Sequence, residues 1–120
     1  MQNRKSNVIL DKSFAFAIRI VKLYQHLCKV KKEFVLSKQV LRSGTSIGAN
    51  IREAIHAHGK KEFLFKTELS LKEAYETLYW IELLSATDYI NDKGKKSLWK
   101  DCDEIVSILV AIVKTTKESL

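Results

Sequence analysis

Apolar residues recur along this chain at helical spacing almost from end to end, and short polar stretches cut the rhythm into four segments. The first runs from about Val8 or Asp11 to Lys32 (nominally 9–32), and the second from Ser37 to about His58. The third covers about Lys60 to Thr87, and the fourth about Asp92 to Glu118. With no proline and four glycines in 120 residues, nothing breaks the helices and little length is left for connections. The pattern predicts one all-α domain over residues 1–120, an up-down-up-down antiparallel four-helix bundle. Residues 1 to about 7 are polar and expected to fray.

The width of the apolar faces adds to this picture. On the first helix Phe14, Ala17, Ile18, Ile20, Val21, Tyr24, Leu27 and Cys28 form the expected core face. Adding Phe16 and Leu23 spreads it over more than half the circumference, wider than one bundle stripe requires. The third helix has two stripes. Phe63, Thr67, Leu71, Ala74, Leu78 and Ile81 make one, and Phe65, Leu69, Trp80 and Leu83 make another, roughly opposite, with Lys72 and Glu76 between. Aromatic side chains on a face that should be solvated are typical of interfaces, so the second stripe is the expected oligomer contact. On the fourth helix Leu98, Trp99, Cys102, Ile105, Val106, Leu109, Ile112 and Val113 face the core, widened by Ile108 and Val110. The longest loop is expected between the third and fourth helices, with Asp88, Asn91 and Asp92 as turn and cap residues.

The second helix, SKQVLRSGTSIGANIREA over residues 37–54, is the most constrained stretch. Val40, Leu41, Gly44, Ile47, Gly48, Ile51, Ala54 and Ile55 share one face; Arg42, Ser46, Ala49, Asn50 and Glu53 share the other. Glycine inside a helix costs about 1 kcal/mol, so two on the buried face point to a neighbour that comes close. Ser37 is the expected N-cap, and Gly59 the expected left-handed residue after the helix. Arg42 is placed to meet Glu73 or Glu76 of the third helix in a polar network that fixes register or subunit contacts. A second reading makes Arg42, Ser43, Ser46 and Arg52 a ligand surface.

This segment carries a resemblance. RSGTSIGANIREA, with Lys12-Ser13-Phe14 upstream and Lys72-Glu73-Ala74, Glu76-Thr77 and Tyr79-Trp80 downstream, resembles the bacterial 23S rRNA intervening-sequence proteins, a ribosomal protein-like family. The likeness spans about residues 8 to 115. It implies a four-helix bundle and a homopentamer. It also implies kinship with the accessory variability determinant of diversity-generating retroelements, a basic pentamer that works with a reverse transcriptase and nucleic acid. The family-motif positions here are Arg42, Ser43, Gly44, Ser46, Gly48, Asn50, Glu73 and Glu76. The resemblance carries over no catalytic residue.

Charge divides the chain. The formal net charge is +7, yet residues 1–60 hold 12 Lys/Arg against 3 Asp/Glu, and residues 61–120 hold 9 against 11. A basic first hairpin raises the prospect of an anionic partner, RNA or DNA. Lys12, Arg19, Lys22 and Lys29 share an arc of the first helix, and Lys31 and Lys32 extend it. The plain reading is a solvated face; the sharper one is a phosphate-facing ridge. No basic motif interleaved with aromatics supports base reading.

Candidate chemistry is sparse. There is no nucleophile signature, phosphate loop or dinucleotide fingerprint. His56 and His58 are two residues apart, so they do not share the helix face that a metal pair needs, and Glu73 and Glu76 have no accompanying histidine. Cys28 and Cys102 are read as reduced thiols in the core on helices one and four. Neither a cofactor nor a metal is expected. No apolar run is long enough to span a membrane, and the N-terminus lacks the apolar core of a signal peptide, so a cytoplasmic location is expected. Two readings follow: a non-enzymatic homo-oligomeric scaffold for nucleic acid, and a protein-docking module that binds no nucleic acid.

Overall fold

The structure is a computed structural model. It describes the backbone of residues 4–120 and the side chains of residues 8–120, so the fraying expected over residues 1–7 lies, for 1–3, outside the described residues, while 4–7 are not frayed but form the first turn of a helix that starts earlier than the expected Val8 or Asp11. Four helices follow one another: α1 (Arg4–Lys29), α2 (Leu36–Ile55), α3 (Lys60–Ala86) and α4 (Asp92–Glu118). A 27-residue helix is about 40 Å long, which accounts for the 46 × 21 × 18 Å dimensions. Each helix packs on its neighbours in sequence and α4 closes back onto α1, so the bundle is the expected up-and-down square.

The core is built from one stripe per helix. Ile9, Phe16, Ile20 and Leu27 come from α1, and Val40, Ile47, Ile51 and Ala54 from α2. Phe63, Ala74, Leu78, Ile81 and Leu84 come from α3, and Leu98, Cys102, Ile105, Val106, Leu109 and Ile112 from α4. The expected faces of α2, α3 and α4 are the buried ones, with Trp99 only half-buried.

On α1 the core-facing arc is rotated from the expectation. Phe14, Ile18 and Val21 are 54%, 43% and 38% exposed, whereas Phe16 and Ile20 are sealed in the core. An apolar surface wider than half a turn leaves the inward direction open. The surface of α2 settles it: Ile20 seats against Gly44, and Ser13 against Gly48.

Helix boundaries differ where the end chemistry differs. α1 stops at Lys29, because Val30 and Lys31 both donate to the His26 carbonyl and the chain turns at Lys32, whose φ is 54°. Lys31 and Lys32 therefore lie in the connection. Ser37 does not cap α2. It is buried in the first turn, and the carboxylate of Glu33 accepts from the amides of Val35, Leu36 and Ser37 at 2.7–3.3 Å instead. α2 ends at Ile55, with His56 as C-cap, three residues short of His58. Gly59 is the N-cap of α3 with an extended backbone, not a left-handed terminator. At the start of α4 the Asn91 side chain accepts from Gly94 N at 2.7 Å, the expected cap. The α1–α2 connection, 30–35, is longer than the α3–α4 connection, 87–91.

Candidate nucleic-acid interface

The motif positions come together first. Arg42 reaches from α2 to α3, with Nη1 donating to Glu73 at 3.3 Å and Nη2 to Glu76. The Trp80 indole donates to the same Glu76 carboxylate at 2.9 Å. Beneath this ion cluster the buried hydroxyls of Ser43 and Thr77 are hydrogen-bonded at 2.9 Å, and Ser70 donates to the Ile47 carbonyl at 2.8 Å. Ser46 and Asn50 bond back along their own helix, to the carbonyls of Arg42 and Ser46. Lys66 joins Glu53 at 2.7 Å farther along. Arg42, Ser43, Ile47 and Glu53 thus tie α2 to α3, whereas Ser46 and Asn50 bond only within α2. A paired hydroxyl inside an apolar interface penalises any slip that would leave it without a partner.

The six basic candidates divide into two groups. Lys12 and Arg19 turn toward α4, where Lys12 pairs with Glu104 at 2.9 Å and Arg19 with Asp101 at 2.6 Å. Arg19 also donates to the Ser97 hydroxyl and carbonyl. Lys22, Lys29, Lys31 and Lys32 are exposed and make no ion pair among the described residues. They lie toward the bundle end that holds the C-terminus of α1 and the α3–α4 connection. Lys38 and Lys93 are exposed at the same end. The only acid in the α1–α2 connection, Glu33, is turned inward onto the α2 amides. Burial pushes the Glu33 carboxyl up, but the Leu36, Ser37 and Val35 amides and the Ser37 hydroxyl outweigh it and hold the group below the ordinary range.

An open cleft of about 610 Å³ lies between α1 and the α3–α4 connection. Arg19, Lys22, His26 and Lys31 supply its basic side, Leu23, Tyr89, Ile90 and Leu98 supply apolar wall, and Asp88 adds one carboxylate to the lining. Sequence reading missed this combination, because Tyr89 stands 67 positions after Lys22 and only the bundle topology brings them together. The available signal was a tyrosine in a turn next to cap residues.

The interface candidates on α3 also divide. Trp80 is half-buried and packs on the core, Leu69 and Leu83 are half-buried, and Phe65 is 57% exposed. Tyr75 and Tyr79 add exposed aromatic surface to the same helix. On α1 the exposed Phe14 has the Arg52 guanidinium 5.2 Å from its ring centroid. Cys28 and Cys102 are free, the first half-buried and the second sealed in the core. Burial, with Asp103 and Asp101 nearby, pushes the Cys102 thiol up to about 12, which makes it an unreactive core residue. Among the described residues no group of three or more His, Cys, Asp or Glu converges, and no helix is long and apolar enough to cross a membrane.

No curated protein matches the chain. Among solved structures it is similar to a protein of unknown function from the S23 ribosomal protein family of Bacteroides thetaiotaomicron. The two share 54% identity over 92% of this chain and 98% of that one, with a TM-score of 0.91. The model of the 23S rRNA-intervening sequence protein family matches residues 5–111. A match over that much of the bundle, on top of the α2–α3 register network, shows that the chain belongs to the 23S rRNA-intervening sequence protein family.

Proposed function

We propose that this protein is a non-enzymatic, homo-oligomeric scaffold that binds the phosphate backbone of RNA or DNA at the basic end of its bundle. The observation that carries the reading is the cluster of Lys22, Lys29, Lys31 and Lys32, exposed and without acidic partners among the described residues. Lys12 and Arg19, by contrast, already have theirs on α4. The same end carries Asp88 and Asp92, the second paired with Lys96, but neither pairs with these four lysines, and cations gathered without counter-charges raise the local concentration of polyanions. Assembly into a homo-oligomer, a pentamer by the resemblance noted above, would repeat this cluster around an axis.

Fluorescence anisotropy with labelled RNA and DNA across a salt series tests the reading. Binding should weaken along a straight log–log line, with a slope of about −3 if four lysines each meet a phosphate of a single strand. Lys22→Glu/Lys29→Glu should abolish it. Absence of binding to either nucleic acid at low salt would overturn the proposal. The second reading, a protein-docking module, rests on the outward apolar stripe of Phe14, Ile18 and Val21. In that case both lysine substitutions leave partner binding intact.

A further inference from the structure

We propose that the cleft between α1 and the α3–α4 connection receives one unpaired nucleotide of a single strand, its base against the apolar wall and its phosphate at Lys22 and Lys31. The proposal rests on the phosphate-binding reading above and narrows it to single-stranded nucleic acid. The cleft volume of about 610 Å³ lies within the range of small-ligand sites. Its composition is split in the way a nucleotide is split. Leu23, Tyr89, Ile90 and Leu98 form an apolar wall, Lys22 and Lys31 stand at its basic side, and the one lining acid, Asp88, is outnumbered by Arg19, Lys22 and Lys31.

Duplex nucleic acid presents only phosphates and groove edges to a protein surface, because its base faces are stacked on one another. It could use the exposed lysines but would leave the apolar wall uncovered. An unstacked base can cover that wall, and an aromatic side chain there favours it without demanding a particular sequence. Two features keep the cleft shaped. Arg19 is held by Asp101 and Ser97 of α4 at 2.6 and 2.9 Å, which ties the α1 side to α4. The chain leaving α3 is held by Tyr89 N donating to the Leu84 carbonyl at 2.9 Å, and Asn91 caps α4. These bonds hold the backbone on both sides of the cleft.

The test compares a labelled 12-nucleotide single-stranded RNA with a duplex of the same length, at the same salt. The single strand should bind about tenfold more tightly. Tyr89→Ala should remove that advantage, a loss of about tenfold for one stacked base, with the salt slope and duplex binding unchanged. Tyr89→Phe should keep the advantage. Because Tyr89 also packs on the core, a second measurement avoids mutation: a strand carrying 4-thiouridine, irradiated in the complex, should crosslink to the peptide containing Tyr89 or to the one containing Leu23. Uridine monophosphate should displace the strand only at millimolar concentration; displacement at micromolar concentration would make the ligand a free nucleotide and overturn the single-strand assignment. Equal affinity for strand and duplex, or crosslinks confined to other peptides, overturns the cleft assignment and leaves the phosphate reading standing. No binding of either form at low salt overturns both.

Discussion

Gly44 and Gly48 stand one turn apart on α2 but meet different neighbours. A Cβ at position 44 would lie 2.7 and 2.9 Å from two branch atoms of Ile20, a sealed core residue whose β-branched side chain has little freedom to turn aside. A Cβ at position 48 would come no closer than 3.3 Å to the Ser13 hydroxyl, whose long 3.2 Å bond to the Leu10 carbonyl needs to give by only a few tenths of an ångström. Overpacking costs about 1–3 kcal/mol, and replacing a mid-helix glycine by alanine returns about 1 kcal/mol. Gly44→Ala should therefore destabilise the protein by up to about 2 kcal/mol in urea denaturation, and Gly48→Ala should be neutral or stabilising by up to about 1 kcal/mol. Equal effects at the two sites would mean that α1 can slide on α2. The helical pattern placed both glycines on the buried face; which of them is a steric requirement depends on the residue across the interface, and that residue is 24 positions away.

The helix ends show the same division at the scale of elements. Ser37 has the right chemistry for an N-cap, yet the α1–α2 connection delivers Glu33 to that place, and a carboxylate on three amides is the stronger acceptor. A charged acceptor here also favours the positive end of the α2 dipole. Because Glu33 titrates below its unfolded value, the unfolded chain binds more protons in acid. Its contribution is complete above the unfolded carboxyl range, near pH 5, and fades as the pH falls through the lowered folded value. Glu33→Gln should cost about 1.5–3 kcal/mol at pH 7, and the gap between variant and parent should close on acidification. Chemical denaturation at pH 7 and in acid checks both parts; a pH-independent gap would assign the loss to packing rather than charge. The α2–α3 pairing was more legible. Arg42 and the Glu73/Glu76 pair are complementary in charge and helically spaced, so their meeting followed from the sequence. The Ser43–Thr77 bond beneath them did not, because neither residue is distinguished from the other hydroxyls nearby.

For the whole molecule, the apolar surface left outside the core is what needs explaining. Phe14, Ile18 and Val21 on α1 and Phe65, Tyr75 and Tyr79 on α3 are exposed, and exposed apolar surface, where it is contiguous, marks sites of contact with proteins, membranes or ligands. If α1 forms the subunit contact, Phe14→Asp should leave protomer stability within about 1 kcal/mol, since little more than the Arg52 contact is lost. Light scattering should then show a smaller assembly. An unchanged mass with unchanged helicity would exclude the α1 stripe as the subunit contact.

The sequence by itself determined the four helices, the inward faces of α2, α3 and α4, the α2–α3 ion cluster and the basic bias of the first hairpin. Each of these follows from spacing along one element or from complementary charge on two. The tertiary structure decided the rotation of α1, the cap on α2, which lysines keep unbalanced charge and where Tyr89 stands relative to them. These depend on which residues meet across the bundle. When an apolar face wraps more than half a helix, local periodicity cannot choose among its directions, and the choice falls to the shape of the neighbouring surface.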